Sequence, residues 1–400
     1  MKKYFYLLMS VLMIFGLRGK AVAGPAPIGQ EVRLDSMSTD AREVEDMGLI
    51  WNYANKALEY KNTSEFNMGN LTGGGVNEWG GLLMDMGSAG VWGFYVNRPA
   101  LGFRSDAFLL TDYYNPFVQT PWEPVGGVFG NVGINNTFDL FWAQNTGLGD
   151  LGLRLSYGEM FSTTGTAVQA ESWRLSAGLG EKDFGVFQEA NFHLDLGKTT
   201  ATQFNPYGTD AGVYSLSLGT LMQSALSGDE DLRLFGDIEL DQAIYPPSNL
   251  NDSDGEIDLG TSLNHKFKDG KGLVTTGLVF DYLSAKFNAN VNTLDSWLIL
   301  WNASLEHQVA DWLTLRAGLA YPFLARGYYS GGSKPYSSSS SGNVDFSTGF
   351  GINWENFTLD GAIKVSTLEN SVNNVQPGTG LLFNNGNMFQ VAEEDLKYNY

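Results

Sequence analysis

Cysteine is absent from all 400 residues. That excludes a disulfide scaffold, a thiolate metal site and a cysteine nucleophile. It also excludes a lipid-anchored cysteine after a leader. Long apolar runs are missing too: past the leader, no stretch approaches the roughly 20 apolar residues of a membrane-crossing helix. A chain of this kind can cross a membrane only with strands, and alternating strands hide their hydrophobicity in a mean hydropathy near zero, here −0.15. Histidine occurs three times, and 24 basic residues face 44 acidic ones. This balance argues against nucleic acid and against anionic lipid faces.

What is present begins with an export pattern. Lys2 and Lys3 precede an apolar stretch from Tyr4 to Leu17, and Ala21-Val22-Ala23 offers a small-residue cleavage site. Residues 1–23 are expected to be a signal peptide, cleaved near Ala23. Its loss removes four basic residues and no acidic one, so the formal charge moves from −20 to −24. Residues 24–63 carry helix formers and a partial apolar face of Met47, Leu49, Ile50, Ala54, Ala57 and Leu58. They are expected to be a short helical or irregular periplasmic or plug segment.

From residue 64 to 400 the chain reads in period two. In Ser172–Gly180, Trp173, Leu175, Ala177 and Leu179 alternate with Ser172, Arg174, Ser176 and Gly178. The same alternation runs through Phe184–Leu196, Asp231–Asp241, Glu256–Phe267, Leu313–Tyr321, Asn343–Trp354 and Phe357–Val365. Weaker strands are expected at Ser64–Asn70, Glu78–Met86 and Gly90–Asn97. Short turns alternate with long polar connections such as Gln242–Gly255 and Leu324–Gly342, the asymmetry of outer-membrane barrels. The expected fold is all-β: a closed antiparallel transmembrane β-barrel of about 16 strands, with 14 or 18 as alternatives. Leu396, Tyr398 and Tyr400 share one face at the C-terminus, similar to the last strand by which outer-membrane proteins are recognised by the barrel assembly machinery.

The segment Asp46-Met47-Gly48-Leu49-Ile50-Trp51-Asn52-Tyr53-Ala54-Asn55 resembles the N-terminal segment of the long-chain fatty-acid transporter superfamily. There an acidic stretch leads to Asn-Pro-Ala and then strand one. Asn52 and Ala54 match, and Tyr53 stands at the proline position. The resemblance implies a plug in a barrel that admits hydrophobic compounds.

Candidate chemistry lies on the polar series. Arg154, Arg174, Glu189, His193, Asp195, Arg233, Asp237, Glu239, Arg316, Asp360 and Lys364 are expected to line the lumen, where charges of both signs can cross-link the wall or set a field across a pore. His193 beside Asp195 is the one place where a lumen hydrolase could be sought, but no enzyme signature stands out and no catalytic residue is assigned. Asp252, Asp254 and Asp258 surround a glycine in an acidic turn and form a weak calcium candidate. The connection Ala100–Asn131, with Phe103, Phe108, Tyr113, Phe117 and Trp122, is too apolar to lie free in water. It is expected to narrow the bore or to add a hairpin. The stretch Tyr328–Gly342, with Ser337 to Ser341 unbroken, reads as a mobile surface loop.

These features point to an outer-membrane channel or transporter for small or hydrophobic solutes. The alternative is a structural or adhesive surface barrel, and a membrane hydrolase stands third. The implied partners are outer-membrane lipid and small-molecule solutes, with no cofactor and no nucleic acid. Orientation is directly testable. Single cysteines at Asp254 and Ser339 should react with an impermeant maleimide on intact cells, and those at Asp183, Asp269 and Asp311 only after permeabilisation. Labelling at 269 but not at 339 would reverse the topology.

Overall fold

The computed structural model describes residues 31–70, 79–97, 136–162, 168–204, 209–245, 250–267, 270–287, 292–330, 336–340, 344–354, 357–367 and 390–399. A short helix, α1 (Glu31–Met37), and two 3-10 turns at Met47–Trp51 and Ala54–Leu58 come first. Asp46 caps the first of these turns by accepting from the Gly48 amide. The strands follow: β1 (Thr63–Asn70), β2 (Trp79–Asp85), β3 (Val91–Val96), β4 (Asn136–Thr146), β5 (Gly149–Ser162), β6 (Val168–Lys182), β7 (Glu189–Phe204), β8 (Thr209–Ala225) and β9 (Glu230–Tyr245). They continue with β10 (Leu250–Phe267), β11 (Gly272–Phe287), β12 (Asn292–Ala310), β13 (Leu313–Ser330), β14 (Tyr336–Ser340), β15 (Val344–Trp354), β16 (Phe357–Thr367) and β17 (Gln390–Asn399).

All pair antiparallel in one sheet, mostly with their neighbours in sequence. β13 is shared: Ala325–Tyr329 pairs with β14, and Leu313–Ala320 pairs with β15. β1 is bonded to β2 on one side and to β17 on the other, with Ser64 opposite Leu82 and Tyr398. β17 holds Leu396 and Tyr398; Tyr400 lies outside the described residues.

The two faces of the sheet have opposite chemistry. Trp173, Leu175, Leu196, Leu218, Ile238, Leu240, Leu259, Leu278, Leu315 and Phe346 are exposed on one face, from 40% to 55% of their surface in most cases. The alternate positions Arg154, Ser176, Asp195, Arg233, Ser262, Asn264, Thr275, Arg316 and Asp360 are buried on the other. A water-soluble sheet hides its apolar face and exposes its polar one. Here the order is inverted.

Several connections are shorter than the sequence suggested, because the strands run on. β5 to β13 have 14 to 19 residues each. The expected loop Gln242–Gly255 is mostly strand, and Asp252 and Asp254 belong to β10 rather than to an acidic turn. The reason is visible in register: 252, 254, 256 and 258 continue the polar alternation, and their backbone groups pair with β9 and β11. Serines 337–340 likewise form β14 rather than a loop, since paired backbone satisfies its amides at no cost in side-chain volume. In the other direction, Phe184 to Gln188 form a turn rather than the start of β7, around Asp183 and Gly185 at positive φ. Ala100–Asn131, with Phe103, Phe108, Tyr113, Phe117 and Trp122, lies outside the described residues.

The pairing of the first strand with the last can be checked chemically. Ser64→Cys with Tyr398→Cys should cross-link spontaneously in the folded protein, because directly opposed antiparallel positions lie within disulfide reach. Folded protein without cross-linking would show the two edges to be apart.

Candidate functional site

The N-terminal segment, residues 31–60, lies against the polar face of the sheet and is buried there. Met37, Met47, Leu49, Ile50 and Tyr53 are fully buried. Its contacts reach strands on widely separated parts of the sheet, and they are of three kinds.

The first is apolar. Trp51 packs edge-on against Tyr95 and Phe141, with ring centroids 4.9 and 5.1 Å away, and against Trp79 at 6.5 Å. Ile50, Ala54 and Ala57 complete this cluster with Leu83 and Val91. Each large aliphatic side chain buried here, such as Ile50, Leu83 or Val91, stabilises by about 1.5–3 kcal/mol. On the far side Leu49 and Tyr53 meet Leu221 and Phe235.

The second is steric. The wall is notched by glycines where the segment's backbone runs. A Cβ at Gly152 would collide with the Ala54–Asn55 peptide, and one at Gly178 would come 2.8 Å from the Ala54 amide nitrogen. Gly318 and Gly349 make the same room for Met37 and Ser36. Gly152 and Gly178 are cross-strand partners, so the notch spans two strands.

The third is ionic. Arg33 donates from Nε and Nη2 to both oxygens of Glu306, at 2.8 and 3.0 Å, and from Nη1 to Asp46 at 2.9 Å. Arg316 donates to the same Glu306 at 2.6 Å and to Asp360 at 2.6 Å, so one chain of charges links the segment to β12, β13 and β16. Arg42 is clamped between Asp237 of β9 and Asp258 of β10, with Asp40 on its other side, and sits 4.7 Å over the Phe235 ring. Glu43 accepts from Asn302 at 2.6 Å, and its backbone carbonyl accepts from Ser262 and Asn264 at 2.8 Å. Burial lifts the Glu43 carboxyl above its ordinary range, and nearby Asp40 adds to this. Burial also acts on Glu45, but Arg233 at 2.5 Å and Lys56 outweigh it and hold that carboxyl down to about 2.

The expected lumen residues therefore have distinct partners. Arg154 donates to the Trp51 carbonyl at 2.7 Å and to Ser176 at 2.9 Å. Arg174 bonds Asp195 at 3.0 Å. Glu189 lies 2.5 Å from the Lys56 ammonium. Glu239 stands opposite Glu256, and Lys364 opposite Ser347; the Lys364 side chain lies outside the described residues. His193 does not build a nucleophilic relay. Ser217 lies 3.2 Å from its Nε2, yet Asp237 and Asp195 lie on that same nitrogen, at 3.5 and 3.7 Å, whereas a relay needs its carboxylate on Nδ1. Tyr53 packs edge-on against the imidazole at 5.1 Å.

The carboxylates of Glu256, Asp258 and Asp281 lie within 4.8 Å of one another; the side chains of Asp252 and Asp254 lie outside the described residues. Asp258 already bonds the chain's own cation, Arg42. Sequence reading missed the charged half of the segment: Arg33, Arg42, Glu43, Glu45 and Lys56. Their signal was there, as charges interleaved with the apolar series of a segment too short to form a core of its own.

No protein-family model and no curated protein matches the chain. Among solved structures it is similar to a FadL homologue from Pseudomonas aeruginosa, at 11% identity over 94% of this chain and 100% of that one, with a TM-score of 0.42. It is also similar to two variants of the FrpB iron transporter from Neisseria meningitidis, at 12% and 10% identity over 78% of this chain, with TM-scores of 0.46 and 0.42. The chain spans 56% and 63% of those two transporters, less than two thirds of their length.

The glycine notch makes a sharp prediction. Gly178→Leu should unseat the segment and open Arg42 to trypsin, whereas Gly147→Leu, on an open turn with nothing near its Cβ position, should leave it protected. Equal protection in both variants would mean that the segment does not depend on this contact.

Proposed function

We propose that this chain is a closed outer-membrane β-barrel whose N-terminal segment plugs the bore, and that it passes small solutes across the membrane when the plug yields. The carrying observation is the inverted sheet: an apolar face left bare and a polar face buried against the chain's own N-terminus. A bare face of Leu, Ile, Trp and Phe calls for an apolar cover, and on the outside of a strand barrel lipid supplies it. Pairing of β1 with β17 supports closure, and β14 and β15 sharing the edge of β13 count as one stave, giving sixteen among the described residues. A barrel of that size encloses a channel unless something fills it.

The filling is held by ion pairs and hydrogen bonds as well as by apolar packing, and the polar share supports a plug that can leave. Arg33, Arg42 and Lys56 bind wall carboxylates that water could solvate again on release. Next to the plug, Asp237, Glu239, Asp241, Glu256, Asp258 and Asp281 make the wall acidic and favour small cations over anions. The competing reading is a static surface barrel, favoured by how thoroughly the segment is seated.

A reversible tether separates the two. The hydroxyls of Ser38 and Ser347 lie 2.7 Å apart, so Ser38→Cys with Ser347→Cys should form a disulfide between plug and wall. In planar bilayers the oxidised protein should conduct at least tenfold less than the same protein after reduction. Equal conductance in both states would remove plug movement from the transport mechanism, and no conductance in either would favour the static barrel.

A further inference from the structure

At one end of the segment a single ammonium is contested by three carboxylates. Lys56 Nζ lies 2.5 Å from Glu189 on β7, 2.8 Å from Glu59 and 3.8 Å from Glu45. The lysine side chain is only 2% exposed, whereas that of Glu59 is 37% exposed and can exchange a proton with solvent.

Other charged groups nearby are already committed. From β9, Arg233 binds Glu45 at 2.5 Å and Asp231 at 3.5 Å. Tyr60 donates to Glu45 at 3.3 Å, and Asn191 to Glu189 at 2.9 Å. Lys182 of β6 stands opposite Glu189 in register. Farther along, Asp139 on β4 accepts from Ser156, Arg154 on β5 is bound to the Trp51 carbonyl, and Arg174 on β6 to Asp195. β3 brings no charge, reading VWGFYV. Fully ionised, Lys56, Arg233, Glu45, Glu59, Glu189 and Asp231 together hold two more negative than positive charges. Among the described contacts Glu59 has the weakest hold of the four carboxylates: Lys56, shared with Glu189 and Glu45, is its one side-chain partner, whereas Asn191 also donates to Glu189, Asn264 to Asp231 and Tyr60 to Glu45.

We infer that Glu59 is a proton-operated latch, which fastens the N-terminal segment to the wall when protonated and loosens it when ionised. The inference rests on reading the segment as a movable plug. Ionised Glu59 competes with Glu189 for one ammonium, and the two carboxylates repel across the boundary between segment and wall. Protonated Glu59 leaves Lys56 to Glu189, which is the contact that ties the two together. Partial burial, with Glu45 and Glu189 opposing the help of Lys56, lifts the Glu59 carboxyl to about 7. A carboxyl lifted in the seated state binds its proton more tightly there than in the released state. Seating is therefore favoured below neutrality and lost as pH rises through about 7.

The test reads the position of the segment rather than transport. Spin labels at Asn52→Cys and Gly228→Cys, the latter on an open turn, report one distance across the boundary, and the native chain adds no cysteine of its own. The parent pair should give one narrow distance at pH 5.5 and a broadened, longer distribution at pH 8.5, with a midpoint near 7. Glu59→Gln should stay narrow at both. Glu189→Gln removes the wall carboxylate that Lys56 grips and should leave the distribution broad at both pH values. A distribution indifferent to pH, or a pH response that survives Glu59→Gln, would overturn the latch. A pH-dependent distance in a protein that does not conduct would keep the latch and sink the transport reading.

Discussion

Charge taken out of water must be answered by charge or by hydrogen bonds, and this requirement organises the molecule. The polar face of the sheet carries Arg154, Arg174, Arg233, Arg316, Asp195 and Asp360, all poorly exposed. Leaving one such group without its partner costs about 3–5 kcal/mol. The sheet meets the requirement partly within itself, as in Arg316 with Asp360. The N-terminal segment meets much of the rest, supplying Arg33 to Glu306, Arg42 to Asp237 and Asp258, and Glu45 to Arg233. Segment and wall thus satisfy each other, and neither is electrostatically complete alone.

The same requirement explains why the contacts differ from those of an ordinary core. Around Trp51 the wall is aromatic and the fit is apolar. Around Arg42 the wall is acidic and the fit is ionic. Between them the glycines at 152 and 178 let backbone approach backbone. The segment is anchored by shape and greasy contact at one place and by charge at others, so conditions that weaken one kind of contact leave the other in place.

The strands were legible because period two is a local property. Trp173, Leu175 and Leu179 alternate with Arg174, Ser176 and Gly178 whatever surrounds them, and the structure places those two series on opposite faces. The ends of the strands were less legible. Asp252-Ser253-Asp254-Gly255 has turn composition, yet the polar alternation continues through it, and backbone pairing with neighbours outweighed composition. The charged contacts of the segment were not legible at all. Arg33 and Glu306 are 273 residues apart, and Arg42 and Asp237 are 195 apart. Nothing in either neighbourhood names the other, since any arginine on a polar series has many carboxylates to choose from.

That separation also orders events in time. The segment is made before any strand it touches, yet its seat comprises notches on β5, β6, β13 and β15 and carboxylates on β9, β10 and β12. No part of the seat has its final shape until those strands are side by side. Contacts this distant in sequence form slowly, because the intervening chain must be ordered first. The first residues of the described chain are thus among the last to settle, and the sheet has to assemble around a tenant that has already arrived.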